Sequence, residues 1–72
     1  MKSNSPICVI GGYDLLSKSF FYEARAKNSK SIFINLNGKK IKTYNVYNFK
    51  IFELKKILTL LYNNNIKNLL FL

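Results

Sequence analysis

The sequence predicts an α/β protein whose sheet is mostly parallel. The apolar run Ile7–Ile10 breaks on two glycines and passes directly into a helical pattern, as a buried strand does when it leads into a helix. A second apolar run, Ile32–Ile34, follows that helix, and this order is typical of parallel neighbours. A second amphipathic segment, Ile51–Leu61, then precedes a final apolar stretch, Leu69–Leu72. These observations predict a Rossmann-like half-fold with three or four strands and two helices.

The chain has 72 residues, which is enough for one small domain. A domain of this size buries only about 60% of its unfolded surface, so we expect marginal stability and exposed apolar surface that a partner covers. Residues 1–6 are expected to form a disordered leader, and residues 7–72 a single α/β domain. The start is too polar for a signal peptide, and no apolar run reaches the roughly 20 residues that span a bilayer. We therefore expect a cytoplasmic location.

The net charge of +9 predicts attraction to anions, without predicting specific nucleic-acid binding. Of the 12 basic residues only Arg25 is an arginine, whereas base and phosphate recognition favours the planar fork of arginine. Lys39, Lys40 and Lys42 form the dense basic cluster of the sequence, beside a turn. We expect no specific nucleic-acid partner.

The scarcity of reactive side chains limits the possible chemistry. The chain has no histidine, one cysteine and three carboxylates, so it cannot build a Ser-His or Cys-His nucleophile, or a zinc site. Cys8 lies inside the first apolar run and is expected to be a buried core residue. Glu23 lies roughly 13 Å from Asp14 along one helix, too far to share a metal ion. Glu53 approaches Asp14 only if both helices start at the same sheet edge.

The first half of the chain is predicted to form a strand, a helix and a second strand. The first strand is Ile7–Ile10, and the helix covers Asp14–Lys27 with the Asp14 carboxylate as its N-cap. The second strand lies within Ser31–Leu36. The helix is expected to face the sheet with one apolar stripe: Leu16, Phe20, Phe21 and Ala24.

Two interpretations of the third extended stretch, Ile41–Phe49, remain open. Asn37-Gly38 is a strong hairpin signal, which would make the third strand antiparallel to the second. A parallel strand normally needs a connection of a dozen residues or more. The aromatic residues of this stretch either form an exposed patch or pack on a sheet face or interface: Tyr44, Tyr47 and Phe49.

The last third of the chain predicts a helix and a buried strand. The helix covers Ile51–Tyr62, and Asn63–Asn65 supplies a left-handed stop. The last strand is apolar on both faces, which predicts a central position in a covered sheet and a longer parent protein. Burial is expected to be deepest at four positions: Val9, Ile34, Leu58 and Leu70.

The turn after the first strand is the candidate binding site. Gly11 and Gly12 let the backbone bend and approach a bound group, while the free N–H groups of the following helix favour a phosphate or another anion. Asp14, at the helix start, is a further candidate contact and otherwise a simple cap. The alternative is a plain strand-to-helix turn, since a pair of glycines is not a full G-x-G-x-x-G motif.

The segment Val9–Leu16 resembles the opening of the N-terminal domain of the LpxI family, the UDP-2,3-diacylglucosamine pyrophosphatases of bacterial lipid A biosynthesis. The stretch Phe52–Leu61 is similar to a family helix that opens with a Gly-x-x-Gly-Lys pattern, and Asn65–Leu72 is similar to the strand after it. In this alignment Lys56 stands at the basic position of that pattern.

The chain departs from the family pattern at several positions. Tyr13 replaces a glycine, Leu16 stands where a proline is common, and Phe52 and Lys55 occupy both glycine positions of the second helix. The Ala-Gly and Arg-Pro segment that follows in the family is missing. The C-terminal domain, which carries the family's catalytic acidic residue, is also missing.

The resemblance implies a role in binding a UDP-linked diacylglucosamine lipid, for a protein that is not catalytic alone. In the family, magnesium supports hydrolysis of the pyrophosphate to give UMP, and we expect no cofactor on this chain by itself. The implied partners are the missing C-terminal domain or a second copy, with at most peripheral contact at the inner face of the inner membrane. The alternatives are a stand-alone nucleotide- or anion-binding module and a non-functional gene remnant.

Overall fold

The computed structural model describes residues 5–72, so most of the expected leader lies outside the described residues. The described part forms an α/β unit with four strands and two helices. In chain order these are β1 (Ile7–Gly11), α1 (Leu15–Lys27), β2 (Ile32–Asn35), β3 (Val46–Asn48), α2 (Leu54–Asn63) and β4 (Asn68–Phe71). The α/β half-fold predicted from the sequence is confirmed.

The four strands form one sheet in the order β3-β2-β1-β4, and all three neighbouring pairs are parallel. The chain moves from β1 to β2 through α1, and from β3 back across the sheet to β4 through α2. These two crossovers run in opposite directions along the sheet. Because crossovers are right-handed, the two helices must cover opposite faces of the sheet.

The open question about the third strand is resolved in favour of the parallel arrangement. The connection, residues 36–45, contains no helix, and Gly38 supplies a left-handed turn within it at φ +86°. The loop closes because asparagine side chains replace missing backbone partners. Asn48, for example, accepts a hydrogen bond from the Ile41 N–H at 2.9 Å and donates to the Ile41 carbonyl at 3.0 Å.

The core has one apolar layer on each side of the sheet. On the α1 face, Phe21 and Phe33 meet edge to face, with ring centroids 5.5 Å apart, beside Val9. The α2 face holds the larger, mainly aliphatic layer: Cys8, Ile10, Ile32, Ile34, Ile57, Leu61 and Ile66. Since adjacent residues of a strand point to opposite faces, β1 contributes to both layers.

The buried face of α1 differs from the predicted stripe. Phe21 and Ala24 are buried as expected, but Leu16 and Phe20 are exposed and Ser17 takes the remaining buried position. Ser17 is tolerated there because its hydroxyl donates to the Asp14 carbonyl at 3.2 Å. A hydrophobicity pattern cannot identify a serine that is buried with its hydroxyl satisfied locally.

The predicted central position of the last strand is wrong. Among residues 5–72, strand β4 pairs only with β1 and forms an edge of the sheet, with Leu69 47% and Phe71 69% exposed. Leu70 is only half-buried on the α1 face. The α2-side core includes no residue of β4, so that face of β4 is left open.

The predicted burial of Leu58 is also wrong, since its side chain is 56% exposed. Its neighbour Ile57 is 7% exposed and, with Leu61 one turn later, forms the part of α2 that packs on the sheet. Val9 and Ile34 are fully buried, as predicted.

Substitution of Ile57 and of Leu58, which are adjacent in α2, tests which side chain packs in the core. We expect Ile57→Ala to lower the free energy of unfolding by about 2–5 kcal/mol, because it leaves a cavity in the core. Leu58→Ala should change it by less than about 1 kcal/mol. Urea titrations followed by circular dichroism measure both. Equal losses for the two variants would contradict this packing of α2.

Candidate functional site at the carboxyl edge of the sheet

The carboxyl ends of all four strands meet at one edge of the sheet. The loop after β1, residues 12–14, lies beside the loop after β2, because the Leu36 N–H donates to the Gly11 carbonyl at 3.0 Å. On the other side of β1, the Leu72 N–H donates to the Ile10 carbonyl at 2.9 Å. The candidate loop therefore lies at the centre of the edge, between the ends of β2 and β4.

Gly11 is buried beside α1 and the end of β4. A methyl group at this position would lie 3.4 Å from the Leu72 carbonyl oxygen and 3.5 Å from the Ser17 Cβ. Both distances are ordinary van der Waals contacts, so packing does not require a glycine at this position. Contact of Gly11 with a ligand remains a prediction.

Gly12 is exposed, and the fold does not require a glycine at this position either. Its φ lies outside the left-handed region, and the nearest heavy atom to an added methyl group would be the Asn37 Cβ at 3.8 Å. Its carbonyl accepts a hydrogen bond from the Asn37 side-chain amide at 2.6 Å. Neither backbone conformation nor packing requires a glycine here, so the open backbone at Gly12 is accessible to an approaching group.

Tyr13 carries the left-handed turn that follows. Its φ is +60°, a region that favours glycine and is uncommon for an aromatic residue. Its ring packs edge to face on Phe33 at a centroid distance of 5.0 Å, and its hydroxyl lies 3.5 Å from the Tyr22 hydroxyl. These contacts hold Tyr13 against α1 and offset the unfavourable backbone conformation.

Asp14 is the N-cap of α1, as predicted. The Ser17 backbone N–H donates to the Asp14 Oδ1 at 2.9 Å. This hydrogen bond, together with the Ser17 side chain, holds the pKa of Asp14 below its usual value. The ionised carboxylate therefore lies at the positive end of the α1 dipole, where it opposes binding of a second anion.

The carboxylates do not form a magnesium site. Asp14 and Glu53 both stand at helix starts on the carboxyl edge, but α1 and α2 lie on opposite faces of the sheet. Glu53 accepts hydrogen bonds from the Lys50 N–H at 2.8 Å and from the Lys56 Nζ at 2.9 Å. Within residues 5–72, no three side chains of the metal-binding types come together. The described residues therefore do not fit the magnesium ion of the resembled family.

The other residues that the sequence singled out are the cysteine and three aromatic residues, and none of them belongs to the candidate loop. Cys8 is fully buried, and burial raises the pKa of its thiol to about 12, so the thiol is unreactive at neutral pH. Tyr47 and Phe49 pack against the α2-side core. Tyr44 is exposed, with the Arg25 guanidinium 5.1 Å from its ring centroid. These three aromatic residues do not form one exposed patch.

A network of asparagines at this edge was missed by the sequence analysis. Asn35 is buried, and its side-chain amide donates to the Lys39 carbonyl at 2.6 Å and to the Asn48 Oδ1 at 2.9 Å. Its Oδ1 accepts from the Asn37 N–H at 3.1 Å. The available signal was the Asn35–Gly38 segment, because asparagine commonly bonds backbone groups two residues on.

Comparisons with protein-family profiles, with curated proteins and with solved structures found no match. The class of the protein therefore rests on its own fold, an α/β unit with a parallel sheet and one helix on each face. Neither helix of the described residues has the length and apolarity needed to cross a membrane.

The cap at Asp14 should give the protein a pH-dependent stability. Because the folded-state pKa is lowered, the contribution of Asp14 is present above its unfolded pKa of about 3.9 and is lost as the pH falls through the folded value. We expect Asp14→Asn to keep the cap at neutral pH and to flatten the fall in urea midpoint below about pH 5.

The Asp14→Ala variant is the matched control, since it removes both charge and cap. Its urea midpoint should lie below that of the Asn variant at neutral pH. If Asp14→Asn loses stability with acid as steeply as the wild type, the carboxylate does not carry this pH dependence.

Proposed function

We propose that the protein is a non-catalytic binding module for a phosphate-bearing ligand such as a nucleotide, with Gly11, Gly12 and Asp14 at its binding loop. The observation that carries the proposal is the position of this loop in the sheet. The loop follows β1, whose two neighbours, β2 and β4, are reached by crossovers on opposite faces. Open α/β sheets bind ligands at the carboxyl ends of strands at such a switch point.

The backbone of Gly12 supports this proposal. A glycine that neither φ nor packing requires is consistent with close approach of a ligand to the main chain. The Asn37 amide holds the Gly12 carbonyl at 2.6 Å, so the loop is ordered before a ligand arrives. The ligand contacts the backbone at Gly12 rather than the first turn of α1, because the Asp14 carboxylate already occupies the positive end of that helix.

In its more specific form, the proposal is that the chain acts as the N-terminal domain of an LpxI-type pyrophosphatase and helps to bind the UDP-linked lipid. The left-handed φ of Tyr13 supports this form, because the resembled family carries a glycine at that position. The open face of β4, with Leu69 and Phe71 exposed, offers apolar surface for a catalytic domain or a second copy. Magnesium would be held mainly by residues outside those described. This role places the protein in the cytoplasm, at the inner face of the inner membrane.

Titration with UMP tests the binding loop. We expect saturable changes in the amide resonances of Gly11 and Gly12, with a Kd in the millimolar range. Gly12→Val should weaken binding about tenfold, because its side chain covers the backbone N–H while its Cβ makes only an ordinary contact, at 3.8 Å, with the Asn37 Cβ. Ser29→Val is the matched control, because Ser29 is exposed and lies at the amino ends of the strands. This variant should bind UMP like the wild type.

The charge of Asp14 provides a second comparison in the same titration. Asp14→Asn should bind UMP about two- to fivefold more tightly, since it removes a negative charge from the helix start while keeping the cap. Absence of saturable shifts at Gly11 and Gly12, or equal weakening by Gly12→Val and Ser29→Val, would contradict the proposed function.

The isolated chain should release no UMP from UDP-2,3-diacylglucosamine in the presence of magnesium. The carboxylates of the described residues are separated and locally bonded, and histidine is absent from the sequence, so a metal-activated water has no site or base here. Chromatographic detection of UMP measures this. Release of UMP that Asp14→Asn or Glu53→Gln abolishes would show that the chemistry lies on this chain.

A further inference from the structure

Three lysines line a small cavity at the same end of the sheet as the binding loop. The cavity has a volume of about 180 Å³ and lies between the loop after β2 and the start of α2. Lys39 and Lys40 line it from the loop, and Lys50 lines it from the segment after β3. Lys50 is 10 or more residues from the other two in sequence, and the parallel connection from β2 to β3 brings it beside them.

The three lysines outnumber the one acidic residue in the lining of this cavity. Glu53 is the acidic residue in its lining, and its carboxylate is engaged by the Lys50 N–H and the Lys56 ammonium group. In the part of the chain that the structure describes, no carboxylate forms a salt bridge with Lys39, Lys40 or the Lys50 ammonium group, although Glu53 interacts electrostatically with Lys50. Like charges that line one cavity repel one another, and an anion between them would relieve that repulsion.

The wall of the cavity is ordered by the asparagine network. The Asn35 side chain holds the Lys39 carbonyl, and Asn48 holds both backbone groups of Ile41. The backbone on either side of Lys40 is thereby tied to the ends of β2 and β3. Binding of an anion would therefore require ordering of the lysine side chains but little rearrangement of the loop.

We propose that this cavity is a second anion site, which binds a phosphoryl group free or as a small phosphate ester. Its volume is below the roughly 300–1,000 Å³ of pockets that enclose whole drug-sized ligands, so it fits a small oxyanion. Lysine ammonium groups bind phosphate as point charges and need no planar fork. The site is separate from the binding loop, which follows β1, and does not depend on the proposed function.

Titration with inorganic phosphate, at constant ionic strength set with chloride, tests this site. We expect saturable shifts of the Gly38, Lys39 and Lys50 amide resonances. A variant with three substitutions, Lys39→Gln, Lys40→Gln and Lys50→Gln, should bind phosphate about tenfold or more weakly.

The matched control removes three exposed lysines elsewhere: Lys27→Gln, Lys30→Gln and Lys67→Gln. Both variants lower the net charge by the same amount, and far-UV circular dichroism confirms that each is folded. The control should keep wild-type affinity. Equal weakening in both variants, or shifts that chloride reproduces, would overturn the proposal, because either result means general charge attraction.

Titration with glycerol 3-phosphate distinguishes the two sources of the phosphoryl group. Tighter binding than inorganic phosphate assigns the site to phosphate esters, and equal or weaker binding assigns it to the free ion. Binding of UMP at the Gly12 loop is measured at different amide resonances and with a different variant, Gly12→Val. The outcome for this cavity is therefore independent of the outcome for the binding loop.

Discussion

Burial of β1 on both faces is the constraint on which the rest of the structure depends. Cys8 and Val9 are fully inaccessible and point to opposite sides of the sheet, and β1 pairs with both β2 and β4. A strand of this kind needs an apolar layer on each face, so the two helices cannot share one side. The reversal of crossover direction between α1 and α2 supplies both layers. The same reversal places the end of β1 at the switch point of the sheet.

The parts of the fold that depend on local pattern could be predicted from the sequence. Both helices, the first two strands, the Asp14 cap and the left-handed Asn65 follow from periodicity and capping chemistry. The second helix nevertheless begins three residues after its predicted start at Ile51. The position of the last strand could not be predicted in the same way. An apolar strand is typical of a sheet centre, but Leu69 and Phe71 lie at an edge, because strand order depends on crossovers and not on composition.

The candidate site likewise has a part that local sequence predicts and a part that depends on strand pairing. The glycine turn was visible because its residues are adjacent, although the sequence could not show that Gly11 is buried and Gly12 is exposed. The asparagine network joins Asn35 to Asn48, and the lysine cavity joins Lys39 to Lys50. Both depend on the parallel orientation of β3, which the sequence left open. Contacts across such a loop become visible only when the strand pairing is known.

The local charge differs between the two proposed sites at the carboxyl ends of the strands. At the centre of the edge, the Asp14 carboxylate lowers the local potential and limits how strongly the Gly12 loop attracts an anion. Beside α2, Glu53 forms an ion pair with Lys56, and three lysines line the cavity. The proposed lysine site therefore offers an anion more positive charge than the loop does. At the proposed binding loop, recognition would instead rest on backbone contact and shape, for which the exposed backbone at Gly12 is suited.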